Sequence, residues 1–254
     1  MSEYRWPIEK LNDILQPMRE TDLVVIGSRP SQGKTTLMLN MAYEFTRKGM
    51  RTAYATVDRS RDNLEERLLQ RHRYSEDLLK DGEDEYFAMR SRYREKLRSI
   101  PLFFLDLREW GETIDKVAYA IDDLKCFFRY DICFVDYLQL IREREGELKW
   151  FKELATFLQM PIVIASQLKR TVMNNPGNLP QEKDFHDFEE INACADTIIM
   201  LHRERSYDDN APKEELRVIV SRDRGKPVNR ETVLHFDWEK AMLMEEEEQE
   251  SIAR

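Results

Sequence analysis

Leu23-Val-Val-Ile-Gly-Ser-Arg-Pro-Ser-Gln-Gly-Lys-Thr-Thr36 is the stretch on which the fold turns. Its first part, Leu23 to Gly27, is a short apolar run that predicts a buried strand, and from Lys34 to Arg47 the apolar residues fall at helical spacing. A tight loop passing from strand into helix is the setting of a phosphate cradle. In this reading Ser28, Arg29, Pro30, Ser31, Gln32 and Gly33, continuing into Lys34, Thr35 and Thr36, surround the phosphates of a nucleotide. Backbone N–H groups around Gly33 and the positive helix end favour the anionic charge, Lys34 reaches the β and γ oxygens, and the Thr35 hydroxyl ligates Mg²⁺. The first position of the pattern is Ser28, with Gly27 one place earlier; a small residue there still permits the turn. The bland alternative is a chance glycine-rich turn, set against the coincidence of strand, loop, helix and metal-ligating hydroxyl.

Working outward, short β-branched runs alternate with longer amphipathic stretches, the pattern of βαβ units around a parallel sheet. Strands are predicted at Leu23–Gly27, Thr52–Val57, Leu102–Leu105, Ile132–Asp136, Ile162–Ser166 and Thr197–Leu201. Helices are predicted at Lys34–Arg47, Asn63–Gln70, Ile114–Phe128 and Glu147–Leu158. Leu216–Ser221 and Thr232–Phe236, separated by Arg224-Gly225-Lys226-Pro227, predict an antiparallel hairpin at one sheet edge. Thr171–Lys183, rich in Pro, Gly and Asn, is expected to be a mobile loop. The expected organisation is an N-terminal linker-like segment over 1–20, one ATPase domain over 21–240 and an acidic tail over 241–254.

A carboxylate at the end of a neighbouring strand completes such a site, because ligands of open α/β sheets bind there. Asp136 follows the buried run Ile132–Val135 and is the candidate magnesium ligand, against the plainer role of capping a turn. Asp58, closing the strand after the first helix, is the candidate general base, or else an N-cap for the helix that follows. Gln167 ends another strand and is placed to sense the γ-phosphate, or is an ordinary strand-terminal polar residue.

The 254 residues suit a single α/β domain, and 41% apolar with 35% charged residues is the composition of a globular protein. No apolar run approaches the ~20 residues of a membrane span, and the amino terminus lacks a secretory h-region, so a cytoplasmic location with no membrane partner is expected. Cys126, Cys133 and Cys194 lack metal-ligand or disulfide spacing and read as plain thiols. The net charge of −9 excludes a protein that coats nucleic acid by bulk attraction, so any DNA contact has to be local. Much of the excess is the run Glu245–Glu250, to which no function is assigned.

Ser28-Arg-Pro-Ser-Gln-Gly-Lys-Thr35, Val135-Asp-Tyr-Leu-Gln-Leu140, Ala165-Ser-Gln-Leu168 with Arg170, and Ala195-Asp-Thr-Ile-Ile-Met-Leu-His-Arg203 resemble, in order, the motifs of the RecA-like ATPase domain of DnaB-type replicative helicases. The resemblance runs from about Trp6 to Phe236, and Asp136-Tyr-Leu-Gln-Leu140 is its most diagnostic part. It implies a RecA-like P-loop fold, ATP and Mg²⁺ bound between subunits of a hexameric ring, and channel loops holding single-stranded DNA. It also implies a basic finger from the adjacent subunit, matched by Arg222 and Arg224 with one residue fewer before Gly225 than the family has. The catalytic glutamate of the family maps to Asp58, one methylene shorter. The first DNA loop is cut to Arg142–Gly146. The second, near Asp184–Asn192, has His186 where relatives have arginine and Glu189 where they have glycine. Lys169, Arg170, Lys183 and His186 are then the candidate DNA contacts, with Asp187, Glu189 and Glu190 opposing them. Ile8–Leu15, amphipathic, packs on its own domain or, as the linker helix of relatives does, on a neighbour. A primase or a loader is a possible partner, and a stand-alone form suits phage or plasmid replication. The other reading is a RecA-, RadA- or KaiC-like ATPase that regulates, or mediates recombination, without processive unwinding.

Overall fold

In the computed structural model the chain is described over residues 3–57, 59–70, 83–107, 113–136 and 146–244. A two-stranded ladder of β1 (Glu3–Tyr4) and β2 (Met18–Arg19) brackets the short helix α1 (Glu9–Asn12). There follow β3 (Leu23–Ser28), α2 (Lys34–Arg47), β4 (Thr52–Thr56), α3 (Arg61–Gln70), α4 (Glu83–Ser99) and β5 (Leu102–Asp106). The second half comprises α5 (Ile114–Phe128), β6 (Ile132–Asp136), α6 (Glu147–Leu158), β7 (Ile162–Gln167), α7 (Phe188–Cys194) and β8 (Thr197–His202). It closes with β9 (Glu215–Asp223), β10 (Lys226–Asp237) and β11 (Met242–Leu243).

The main sheet has nine strands in the order β11-β10-β9-β8-β3-β7-β6-β4-β5. From β8 to β5 every pairing is parallel, and from β8 to β11 every pairing is antiparallel. The turn between β9 and β10 is Arg224-Gly225, both at positive φ (50° and 76°), which matches the right-handed twist of a hairpin.

Alternation along each strand sorts the core onto two faces. Val24, Ile26, Phe134, Val163 and Ala165 join one cluster, with Leu37, Met41 and Phe45 of α2 and Leu64 and Leu68 of α3. Leu23, Val25, Cys133, Val135, Ile162 and Ile164 join the other, with Val117 and Ile121 of α5 and Phe151 and Leu154 of α6. Both faces of the parallel strands are thus covered, which is why their sequences read as continuous apolar runs.

The stretch Thr171–Lys183 is not the plain mobile loop its composition suggests: it folds into 3₁₀ turns at Arg170–Asn174, Pro176–Asn178 and Glu182–Asp184. Buried Asp184 organises it, its carboxylate accepting from Asn175 Nδ2 at 2.7 Å, the Gln181 N–H at 2.8 Å and Thr171 Oγ1 at 3.3 Å. The N-terminal segment packs on its own domain, with Trp6, Ile8, Leu11, Ile14 and Leu15 all buried in the α2-side cluster. Helix α4, absent from the sequence reading, buries Leu97 in the same cluster as Leu64 and Leu68 of α3 and is also tied to α3 by charge. Buried Glu65 of α3 faces Arg94 at 4.0 Å and Arg98 at 3.5 Å, and Glu66 pairs with Arg90. The loop expected at Arg142–Gly146, all but its last residue, and the acidic run after Met244 lie outside the described residues, as does Asp58.

Candidate nucleotide site

Strand β3 lies between β7 and β8, and its neighbours diverge in topology there, so its C-terminal end opens the crevice where ligands of this architecture bind. The chain leaves β3 at Ser28, turns through Ser31 at φ 63° and Gly33 at φ 87°, and enters α2. Gly33 is required twice over. Its φ suits glycine, and a Cβ there would sit 2.6 Å from the Trp238 ring. Gly27 answers a different need, since a Cβ at that position would meet the buried Phe185 ring at 2.3 Å. The glycine that seemed displaced from the loop pattern thus makes room for Phe185, in the segment that pairs with Leu168.

A cavity of about 420 Å³ at this end of the sheet is lined by Ser28, Arg29, Pro30, Ser31, Gly33 and Lys34, with Thr35, Thr36, Asp136 and Gln167. Every loop residue named from the sequence borders it except Gln32. That side chain is buried and turns the other way, donating to the Tyr207 hydroxyl at 2.8 Å. Tyr207 in turn stacks on His202, whose Nε2 lies 2.6 Å from Glu204, so Gln32 anchors the loop to the end of β8. The first turn of α2 has no acidic residue, which leaves its positive end open to an anion.

Lys34 is buried, and its Nζ donates to the Ser166 carbonyl at 2.9 Å, crossing from the start of α2 to the last residues of β7. Gln167, in register with Ser28, carries the same strand to the cavity. On the far side Asp136 is buried at the end of β6, its Oδ2 accepting the Tyr54 hydroxyl at 2.9 Å. Its Oδ1 is buried with no hydrogen-bond partner among the described residues. Burial, and next the charge of Asp136, push the Tyr54 phenol well above its ordinary range, so it stays a donor. Such a carboxylate oxygen and the Thr35 hydroxyl, on residues that line the same cavity, fit a magnesium ion. Among the described residues no cluster of three or more His, Cys, Asp or Glu could hold a metal, so the remaining ligands would be phosphate oxygens and water, as magnesium prefers.

Three lining residues had no place in the sequence reading: Arg59, Arg67 and Trp238. Arg59 and Arg67 follow β4 and sit in no motif. Trp238 lies some 200 residues from the loop it covers, stacked against Phe236 and under the Arg203 guanidinium at 4.2 Å. A basic residue just beyond Asp58, and another at helical spacing after it, was the available signal.

The other predicted residues lie elsewhere. Arg222 donates to the Asn192 carbonyl at 2.5 Å and also bonds the Asn192 side chain, with Glu182 3.7 Å away. Arg224 donates to the Pro17 carbonyl at 2.7 Å. Neither borders the cavity of its own chain. Arg170, Lys183 and His186 are exposed and Lys169 is half-buried, all on the segment after β7. Of the acids beside them, Glu190 is turned away from that segment, its carboxylate capping α6 through the Leu148 N–H at 2.7 Å and the Lys149 N–H at 3.3 Å.

The geometry agrees with what comparison shows. Over 230 residues the chain is 28% identical to a probable plasmid replicative DNA helicase of Chlamydia trachomatis, covering 85% of this chain and 49% of that protein. It is 27% identical over 250 residues to the replicative DNA helicase DnaB of Helicobacter pylori strain J99, covering 89% of this chain and 50% of that protein. The chain therefore spans about half the length of the curated relatives it matches. Among solved structures it superposes on an ATPase domain with a TM-score of 0.76 at 20% identity, over 89% of this chain and 85% of that one. A DnaB-like replicative helicase, solved in a study of its interactions with primase, gives 0.75 at 19% identity, over 89% and 57%. No helix among the described residues is long and apolar enough to cross a membrane. The family model for the DnaB-like helicase C terminal domain matches residues 6–244, and the chain belongs to that family.

Proposed function

We propose that this chain is an ATP-driven motor domain, hydrolysing Mg-ATP at the subunit interfaces of a hexameric ring to move along single-stranded DNA in replication. The observation that carries the proposal is the pairing, across one cavity, of buried Lys34 with a buried Asp136 oxygen that has no partner among the described residues. Cationic Lys34 and the open end of α2 receive the β and γ phosphates. Thr35 and Asp136 hold the magnesium, which neutralises charge on the transferring phosphoryl group. Gln167 hydrogen-bonds the γ-phosphate, and Asp58 takes the proton of the attacking water. Lys169, Arg170, Lys183 and His186 meet the DNA backbone, on a segment whose Phe185 rests against Gly27 of β3. Through that contact DNA binding and the loop are mechanically joined. Arg222 and Arg224 serve the neighbour's nucleotide, and primase or a loader binds the assembled ring.

The test has two parts. Lys34→Ala is expected to abolish nucleotide turnover with an unchanged melting temperature. Single-stranded DNA is expected to stimulate the wild-type ATPase, with stimulation falling steeply over a salt series as phosphate contacts are screened. Full turnover in Lys34→Ala sinks the nucleotide site. Turnover indifferent to DNA sinks the motor and leaves a regulatory ATPase.

A further inference from the structure

The phosphate cavity carries more positive charge than its motif accounts for. Beside Lys34 and Arg29 its wall includes Arg59 and Arg67, on the side of Asp136. Strand β4 ends at Thr56, in register with Asp136 of β6, and the Val57 N–H donates to the Asp136 carbonyl at 3.2 Å. The chain therefore leaves the sheet directly beside the carboxylate that faces the cavity. The Arg59 N–H then donates to Thr56 Oγ1 at 3.1 Å, turning the backbone, and its Nη1 donates to Asn63 Oδ1 at 3.3 Å on the first turns of α3. Asn63 and Arg67 are four apart and share a face of that helix, and Arg59 and Arg67 both line the cavity. The charges of Arg67 and Arg59 both reach the Tyr54–Asp136 pair, opposing the rise that burial gives the Tyr54 phenol.

Phosphoryl transfer spreads negative charge over the γ oxygens, and a cation meeting it is effective whether it comes from the same chain or another. Arg222 and Arg224 do not border their own subunit's cavity, so a cation acting there in cis has to come from another element. We propose that Arg59 is a catalytic arginine supplied in cis, its guanidinium meeting the γ-phosphate of the ATP held by its own subunit's loop. The proposal rests on reading the cavity as a Mg-ATP site. In the step it assists, water oxygen bonds to the γ-phosphorus and the bond to the β–γ bridging oxygen breaks. ADP leaves with that electron pair, one water proton stays on the released phosphate and the other passes to the Asp58 carboxylate, which later gives it up to solvent. Arg59 remains protonated and donates hydrogen bonds throughout.

The experiment uses the full chain with Arg59→Ala, Arg59→Lys and Lys34→Ala. Turnover is measured together with affinity for ADP and for a non-hydrolysable ATP analogue. Arg59→Ala is expected to lower turnover about 10²–10³-fold, the scale of losing one donor to a developing charge. It should weaken the ATP analogue while leaving ADP affinity within about twofold, and Arg59→Lys should recover part of the rate. Mixing Arg59→Ala with Lys34→Ala subunits should restore nothing, because each subunit's site keeps one defect. Recovery in the mixture would place the arginine in a neighbour's site and overturn the cis assignment. So would turnover within threefold of wild type, or equal losses for ADP and the analogue, the mark of a merely structural role. Retained nucleotide binding in Lys34→Ala would instead remove the underlying site; a failure confined to Arg59 leaves that site standing.

Discussion

Tyr54 decides which oxygen of Asp136 is left without a partner among the described residues. Its hydroxyl occupies Oδ2, Oδ1 stays without a partner, and Asp136 borders the cavity. Tyr54→Phe removes that donor from a buried carboxylate, which is expected to cost about 1–3 kcal/mol of stability. It should also raise the magnesium concentration needed for half-maximal turnover, read by titrating Mg²⁺ in the ATPase assay; an unchanged midpoint would separate Tyr54 from the metal site. Cys133, buried as the second residue of β6, gives a pH signature. Burial raises its thiol from 9.0 to about 12. The native thiol therefore keeps a proton that the unfolded chain gives up, and this contribution to stability is complete below pH 9 and fades as pH climbs toward 12. The loss approaches ~1.4 kcal/mol per pH unit within that window. Urea denaturation at about pH 8, 9 and 10 should show a gentler decline for Cys133→Ala than for the wild type, and parallel declines would refute the assignment. At this scale the sequence was readable wherever the chemistry was local: Lys34, Thr35, Asp136 and Gln167 all border the cavity. The Gln32 side chain leaves the cavity wall for the Tyr207 hydroxyl, a partner 175 residues away that no local motif announces. Arg59, Arg67 and Trp238 were missed because no motif marks them.

Three helices were legible to the residue, whereas α3 starts at Arg61 rather than the expected Asn63 and β10 runs from Lys226 rather than Thr232. Helices α2, α5 and α6 begin and end where the spacing of their apolar residues places them. Helix α4 escaped because much of its support is ionic: beside buried Leu97, Arg90, Arg94 and Arg98 find Glu65 and Glu66 of α3, a complementarity visible only once the two helices are side by side. The two-residue strands β1, β2 and β11 are too short to show any alternation. The segment after β7 misled for a related reason, since Pro, Gly and Asn advertise flexibility unless a buried group collects their hydrogen bonds. Asp184 is that group. Asp184→Ala is expected to cost about 2–3 kcal/mol and to speed amide exchange across Thr171–Lys183, followed by hydrogen–deuterium exchange. Exchange as slow as wild type would show that the turns hold themselves.

On the scale of the whole molecule, Asp196 binds the parallel and antiparallel halves together. Its carboxylate accepts the Leu23 N–H at 2.8 Å and the Lys152 ammonium at 2.6 Å, and its carbonyl accepts the Gly225 N–H at 2.7 Å. The hairpin bearing Arg222 and Arg224 is thereby fixed to the start of β3, the strand that ends in the phosphate loop. If those arginines act on a neighbour's nucleotide, mixing Arg222→Ala or Arg224→Ala subunits with Lys34→Ala subunits should regain turnover, one intact shared site at a time. Absence of any regain would assign the hairpin to its own subunit. Trp238 offers a last consequence. Its indole packs over Gly33 within the cavity wall, whereas Trp6 is buried with the N-terminal segment and Trp150 rides on α6. The protein thus carries an intrinsic optical reporter: nucleotide binding should change its emission, and Trp238→Phe should silence the change, making occupancy visible without a label.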